Sequence, residues 1–240
     1  MYCLREAARL NTALAPTAWA ADQKTPEKQI VTPGIQLDFG PEGCTEHKFG
    51  LPDELWDRLS GRGFWVFGAG TGYGQAVAAA LAAAGARVIL TGRRENVLAD
   101  TIASLHRNDI PESKCHIVPA DINDPKSLAD AVAYISQIPD MEINGAVACA
   151  AVPQSRVSPW PLTDMPMDYW EKMISTNVTG QLNAFRAVHP MMLAQRQMHM
   201  VFFTSEAGWA DTEGVGPYNV TKAALNSFAM SLARECEAKY

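Results

Sequence analysis

"VFGAGTGYGQAVAAALAAAGARVILTGRR", residues 66–94, runs from an apolar segment into glycines at 68, 70, 72 and 74, then into an alanine-rich segment of helical length. A second apolar run, residues 86–91, follows and ends on Thr91-Gly92-Arg93-Arg94. Strand, side-chain-free turn, helix and strand in that order read as a βαβ unit. At such a turn the free N–H groups and the helix dipole favour negative charge, which makes it a cradle for a pyrophosphate. The generic Gly-x-Gly-x-x-Gly fits neither frame, because Tyr73 and Gln75 fall on its last position. Gly-x-x-x-Gly-x-Gly fits, at Gly68, Gly72 and Gly74, and Gly70, Thr71 and Tyr73 complete the candidate cofactor turn. The bland alternative is a flexible turn with no ligand.

The same alternation continues to the end of the chain. Strand-length apolar runs at 64–67, 86–91, 115–120, 145–150 and 200–204 alternate with helical segments at 74–85, 96–108, 125–137, 167–194 and 217–238. Strands this continuously apolar are expected when helices cover both faces of a parallel sheet, so the fold class is α/β, with a doubly wound parallel sheet. Residues 1–60 have little periodicity and many prolines and glycines. They are expected to form an N-terminal extension, partly irregular, ahead of a dinucleotide-binding domain over 61–240. No internal repeat or low-complexity tract interrupts the pattern.

Composition excludes several classes. A net charge of −6 without a clustered Lys/Arg run argues against a nucleic-acid footprint and against a polybasic membrane patch. The five cysteines are scattered and never form Cys-x-x-Cys, so neither a disulfide framework nor a metal site is indicated, and a reducing, cytoplasmic setting fits. The opening 23 residues only faintly resemble a targeting segment, since Asn11, Thr12 and Pro16 interrupt their apolar part and Glu6 sits between Arg5 and Arg9. No apolar run approaches the length of a membrane span.

The end of the second strand of such a unit selects the cofactor. A carboxylate there accepts hydrogen bonds from the ribose of NAD, whereas arginine accommodates the 2′-phosphate of NADP. This chain has Arg93 and Arg94 and no carboxylate at that place, which favours NADP over NAD. A solvated arginine pair opening a helix is the competing reading.

"FFTSEAGWADTEGVGPYNVTKAALNSFAMSLAREC", residues 202–236, holds Ser205 at the end of an apolar run, with Tyr218 and Lys222 four apart on a helix. Residues four apart share a helix face, and in a doubly wound sheet the carboxyl ends of the strands are where ligand sits. An ammonium one helical turn from a phenol is expected to favour the ionised phenol and lower its pKa, making Tyr218 a usable acid or base. Ser205 can then hydrogen-bond a substrate oxygen as charge develops on it, and Lys222 can also hold the nicotinamide ribose. Singly, each is an ordinary strand-end or helix residue, so the reading rests on their conjunction.

With these residues in place the sequence, over roughly 62–240, resembles the short-chain dehydrogenase/reductase family, whose sheet is Rossmann-type. Gly68, Gly72 and Gly74 match its Thr-Gly-x-x-x-Gly-x-Gly turn, with Phe67 replacing the threonine. Asp121 in "PADIND" sits where the family's aspartate contacts adenine; Ile122 beside it and Ala150 are counted with the cofactor site. Asn177 in "MISTNVTG" matches the asparagine of a proton relay, and Ser205, Tyr218 and Lys222 match the catalytic set. The resemblance implies hydride transfer between nicotinamide and a small carbonyl or secondary alcohol, with Tyr218 giving or taking the oxygen-bound proton. It further implies a homo-oligomer, with helix 167–194 as one possible contact. Asp121 could instead cap the next helix, and Asn177 could be satisfied within its own.

Three departures qualify the match. After the fourth strand the family's Asn-Asn-Ala-Gly is replaced by Ala148-Cys149-Ala150-Ala151, where Ala151 is expected to crowd the nicotinamide side and Cys149 reads as a small buried hydrophobe. Glu206 follows the serine, as a substrate contact or an exposed charge. Only residues 223–240 follow Lys222, so the sheet is expected to stop at its fifth strand, as in a portion of a longer protein. The rival readings are a catalytically idle dinucleotide-binding protein and an epimerase or dehydratase, whose glycine spacing would need glycine where Thr71 stands.

Overall fold

The computed structural model describes residues 58–106, 110–153, 162–196, 198–210 and 215–239. The extension expected over 1–60 lies outside them apart from residues 58–60, as do residues 154–161.

Five parallel strands, β1 (Gly63–Phe67), β2 (Arg87–Thr91), β3 (Cys115–Ile117), β4 (Ile143–Ala148) and β5 (His199–Phe202), form one sheet in the order β3-β2-β1-β4-β5. The helices are α1 (Gly72–Ala83), α2 (Glu95–His106), α3 (Pro125–Ile135), α4 (Met167–Ile174), α5 (Gly180–Ala194) and α6 (Gly216–Lys239). Strand side chains alternate between the faces. Trp65 and Phe67 of β1 and Ile89 of β2 enter a core with Leu128 and Ile135 of α3 and Val188 and Met192 of α5. Val66, Val88 and Leu90 face the other way, onto Ala78, Ala79 and Ala82 of α1 and Leu98 and Leu105 of α2. Small alanines on α1 let that helix lie close to the sheet. The doubly wound α/β architecture is therefore the one expected from the apolar runs.

Trp65 and Phe67 stack with ring centroids 4.6 Å apart. The buried indole N–H donates to Thr91 Oγ1 at 2.7 Å, and that hydroxyl donates to the Val118 carbonyl at 2.8 Å, so one polar chain ties β1 to the residues after β3. At the opposite end of β1 the pairing with β4 shifts by one residue, and Asn144 Oδ1 accepts the Gly63 N–H at 2.9 Å.

Two expectations are corrected here. The third strand, expected over 115–120, pairs only over Cys115–Ile117. The uninterrupted helix expected over 167–194 is broken by a π turn at Ser175–Thr179, where Gly180 N–H bonds back to the Ser175 carbonyl, five residues earlier. Gly180 is pressed against Ile122: a Cβ there would come within 2.7 Å of the Ile122 Cδ1 atom.

Candidate active site

The strand order reverses direction at β1, with β2 on one side and β4 on the other, and the crevice at that switch point holds a cleft of about 200 Å³. Its floor is the turn after β1. The Gly68 and Ala69 N–H groups both donate to the Thr91 carbonyl, at 2.7 and 3.0 Å, which folds the turn back on β2. Gly68 has φ +83°, and a Cβ there would lie 2.6 Å from Ala150 N; a Cβ at Gly74 would strike the Gly68 carbonyl oxygen. Both positions therefore require glycine for steric reasons independent of any ligand. From the other side Thr101 of α2 reaches the Ala69 and Gly70 carbonyls, each at 3.3 Å.

Of the candidate cofactor residues, Gly68, Gly70, Thr71, Arg93, Arg94, Asp121, Ile122 and Ala150 line this cleft. Gly72, Tyr73 and Gly74 do not line it but open helix α1 beside it. Thr71, the N-cap of α1, makes no side-chain capping bond. The first-turn N–H groups thus have no cap acceptor, as an anion site requires. Arg93 and Arg94 are exposed. Helix α3 is capped by Asp124, whose Oδ1 accepts the Lys126 N–H at 2.9 Å. The Asp121 carboxylate accepts the Asn123 N–H at 2.9 Å, and the Asp121 N–H donates to Ser127 Oγ in the first turn of α3 at 3.1 Å.

The second half of the site is built by the π turn, β5 and α6. The π turn turns Asn177 inward, leaving it 1% exposed. Its Oδ1 accepts the Val152 N–H at 2.7 Å and its Nδ2 donates to the Val152 carbonyl at 3.0 Å and to Thr221 Oγ1 at 3.3 Å. Thr221 in turn donates to the Tyr218 carbonyl at 2.8 Å. Asn177 therefore couples the loop after β4 to the helix that carries Tyr218 and Lys222. Ser205, just beyond β5, accepts the Ala207 N–H at 3.2 Å as N-cap of a 3-10 turn, and its side chain acts on the Tyr218 phenol to favour the ionised form.

The electrostatics differ from the expectation for the tyrosine. Burial pushes the Tyr218 phenol above its ordinary value near 10; the Ser205 bond opposes this and the nearby Tyr73 phenol adds to it. The Lys222 Nζ donates to the Phe203 carbonyl at 2.6 Å and lies 5.4 Å from the Tyr218 ring centroid. Lys222 is only 3% exposed, and burial holds its own pKa below the usual lysine value. Cys149, behind it, is pushed up to about 12 by burial, which fits an inert thiol.

Sequence reasoning missed Thr221, Gln181 and Thr101. Gln181 is buried and donates through Nε2 to the Ala150 carbonyl. None of the three belongs to a motif; a buried polar residue on a helix facing the sheet is the only signal, and burial is not visible in one sequence. Glu206 is exposed.

The model of the short chain dehydrogenase family matches residues 64–240, and the chain belongs to that family. An uncharacterized oxidoreductase of Staphylococcus aureus is 29% identical over 173 residues, spanning 71% of this chain and 69% of the relative. A 3-oxoacyl-[acyl-carrier protein] reductase of Brucella melitensis superposes with a TM-score of 0.69 at 25% identity, over 77% of this chain and 68% of the other. The closed form of a serine dehydrogenase complexed with NADP+ gives 0.63 at 25% identity, over 72% and 66%. The protein is thus an oxidoreductase of the short chain dehydrogenase family. Among the described residues no helix is long and apolar enough to cross a membrane.

Proposed function

We propose that the protein is an NADP-preferring oxidoreductase acting on a small carbonyl or secondary alcohol, with Tyr218 as acid and base. The observation that carries this reading is the meeting of Ser205, Tyr218 and Lys222 beyond β5, where the Ser205 side chain acts on the Tyr218 phenol and the Lys222 ammonium lies 5.4 Å from the Tyr218 ring centroid. The cleft fits a dinucleotide: the α1 N-terminus lacks a cap acceptor, and two exposed arginines stand after β2. In this reading Gly68, Gly70, Thr71, Gly72, Tyr73 and Gly74 cradle the pyrophosphate side, and Arg93 with Arg94 pairs with a 2′-phosphate. Asp121, Ile122 and Ala150 flank the base and ribose. The serine dehydrogenase neighbour, complexed with NADP+, supports a nicotinamide dinucleotide in this cleft.

The bound nicotinamide supplies or takes the hydride. The chain does the rest: Ser205 holds the substrate oxygen, and Tyr218, kept protonated by burial, donates its phenol proton to that oxygen in reduction and takes it back in oxidation. Lys222 holds the nicotinamide ribose, and Asn177 keeps the relay's backbone in register. The reading extends to a cytoplasmic homo-oligomer, supported by exposed Val201 on β5 and Val220 and Met230 on α6.

The test is a fluorescence titration with NADPH and NADH beside turnover of a ketone and aldehyde panel by wild type and Tyr218→Phe. The variant is expected to bind cofactor as wild type does and to lose roughly 10²–10⁴-fold in kcat, the usual contribution of a positioned acid. Cofactor binding with no turnover by wild type would instead favour the idle dinucleotide-binding protein.

A further inference from the structure

Tyr73 is 75% exposed, yet its ring stacks on Phe203, with centroids 5.6 Å apart and planes inclined by 30°. The two residues come from opposite sides of the site, one from the start of α1 and one from the end of β5. Phe203 is also the residue whose carbonyl accepts Lys222 Nζ at 2.6 Å. Its backbone is otherwise weakly held: β5 ends at Phe202, and the Phe203 N–H reaches the Ala148 carbonyl only at 3.4 Å. A residue just past the end of β5 thus carries the acceptor for a buried ammonium; its side chain packs against the core that α1 and α2 cover and stacks with the Tyr73 ring.

We propose that Tyr73 is a positioning residue for Lys222, acting through Phe203: the Tyr73–Phe203 stack fixes the carbonyl that holds the ammonium. This goes beyond a place for Tyr73 in the cofactor turn, and it holds whether or not the chain turns over a carbonyl. The groups facing the ammonium are the Phe203 carbonyl, the Tyr218 ring and the Cys149 thiol; those facing the Tyr218 phenol are Ser205 and the Tyr73 hydroxyl. Tyr73 therefore stands at one end of both halves of the pair, by stacking toward the lysine and by its hydroxyl toward the phenol.

The experiment measures amidination of Lys222 by methyl acetimidate, read by peptide mass spectrometry across alkaline pH, in the protein without cofactor. Exposed Lys126 serves as internal reference. Tyr73→Ala should raise the Lys222 labelling rate by roughly threefold to tenfold, the size of one aromatic pair contact. Tyr73→Phe, which keeps the ring, should restore protection. Phe203→Leu should reproduce Tyr73→Ala, and the double variant should label no faster than either single, since both remove one interaction. Labelling in Tyr73→Ala equal to wild type, or strict additivity in the double variant, overturns the proposal. Because the readout needs neither cofactor nor turnover, failure of the reductase reading is seen separately, as a wild type that protects Lys222 but reduces nothing.

Discussion

At the scale of single residues, burial governs the chemistry of the tyrosine. Burial raises the Tyr218 pKa, and the Ser205 bond is what holds it down. Reduction needs the protonated phenol, so kcat/KM for a ketone should stay flat through neutral pH and fall only above the ordinary phenol value. Ser205→Ala removes the lowering contact, so its descending limb should move to higher pH, while its rate falls by roughly 10²–10³ through loss of the oxygen's donor. A pH–rate profile checks both, and a limb that moves downward contradicts the assignment. The stability sign follows from the same shift. The folded phenol keeps its proton where the unfolded one has lost it, so this group's contribution is complete below pH near 10 and is lost as pH rises through the folded value. Arg93→Ala should weaken NADPH by about tenfold or more and leave NADH nearly unchanged, as expected for loss of a charge-assisted bond to phosphate. Equal effects on the two cofactors would remove the arginine from the choice.

Among elements, the glycine turn and the π turn carry the argument. The turn was legible because its needs are steric: Gly68, at φ +83° against Ala150 N, tolerates no other residue cheaply. Gly68→Ala should cost about 1–3 kcal/mol in urea unfolding from backbone strain, and more if Ala150 cannot retreat. The π turn was not legible, since Ser175–Thr179 has no glycine or proline to mark it and its defining bond is five residues long. Its consequence is the inward Asn177. Asn177→Leu should remove the bonds to the part-buried Val152 N–H and carbonyl, at about 1 kcal/mol for each hydrogen bond lost. Thr221→Val should cost about 1 kcal/mol, because Tyr218 keeps its helical bonding. Urea midpoints at unchanged slope measure both. The structure brings Ser205, Tyr218 and Lys222 together beyond β5, and their spacing was readable in the sequence. The Lys222–Phe203 bond was not, because a main-chain acceptor leaves no trace in residue type.

For the molecule as a whole, the alternation of apolar runs was enough to give the parallel sheet, since buried strands covered on both faces need no polar alternation. What it could not give was the surroundings of β5, which among the described residues pairs only with β4 and leaves Val201 half exposed. Exposed apolar groups along an edge strand favour association. Val201→Lys should therefore shift the chain toward smaller species in sedimentation velocity, and an unchanged distribution would move the contact elsewhere.

The hydroxyl of Thr101 bears on none of these readouts directly, yet it faces the carbonyls that set the polarity of the cleft floor. It sits 3.3 Å from both the Ala69 and the Gly70 carbonyl oxygens and 3.2 Å from the Val97 carbonyl of its own helix, so both turn oxygens face α2 and its one proton serves one of the three at a time. In a trans peptide the N–H points opposite to the C=O, so the N–H groups of Gly70 and Thr71 are turned away from α2. Both residues line the cleft. A side chain thirty residues downstream, which need touch no ligand, thereby favours the orientation in which the loop shows N–H groups rather than carbonyls to whatever enters.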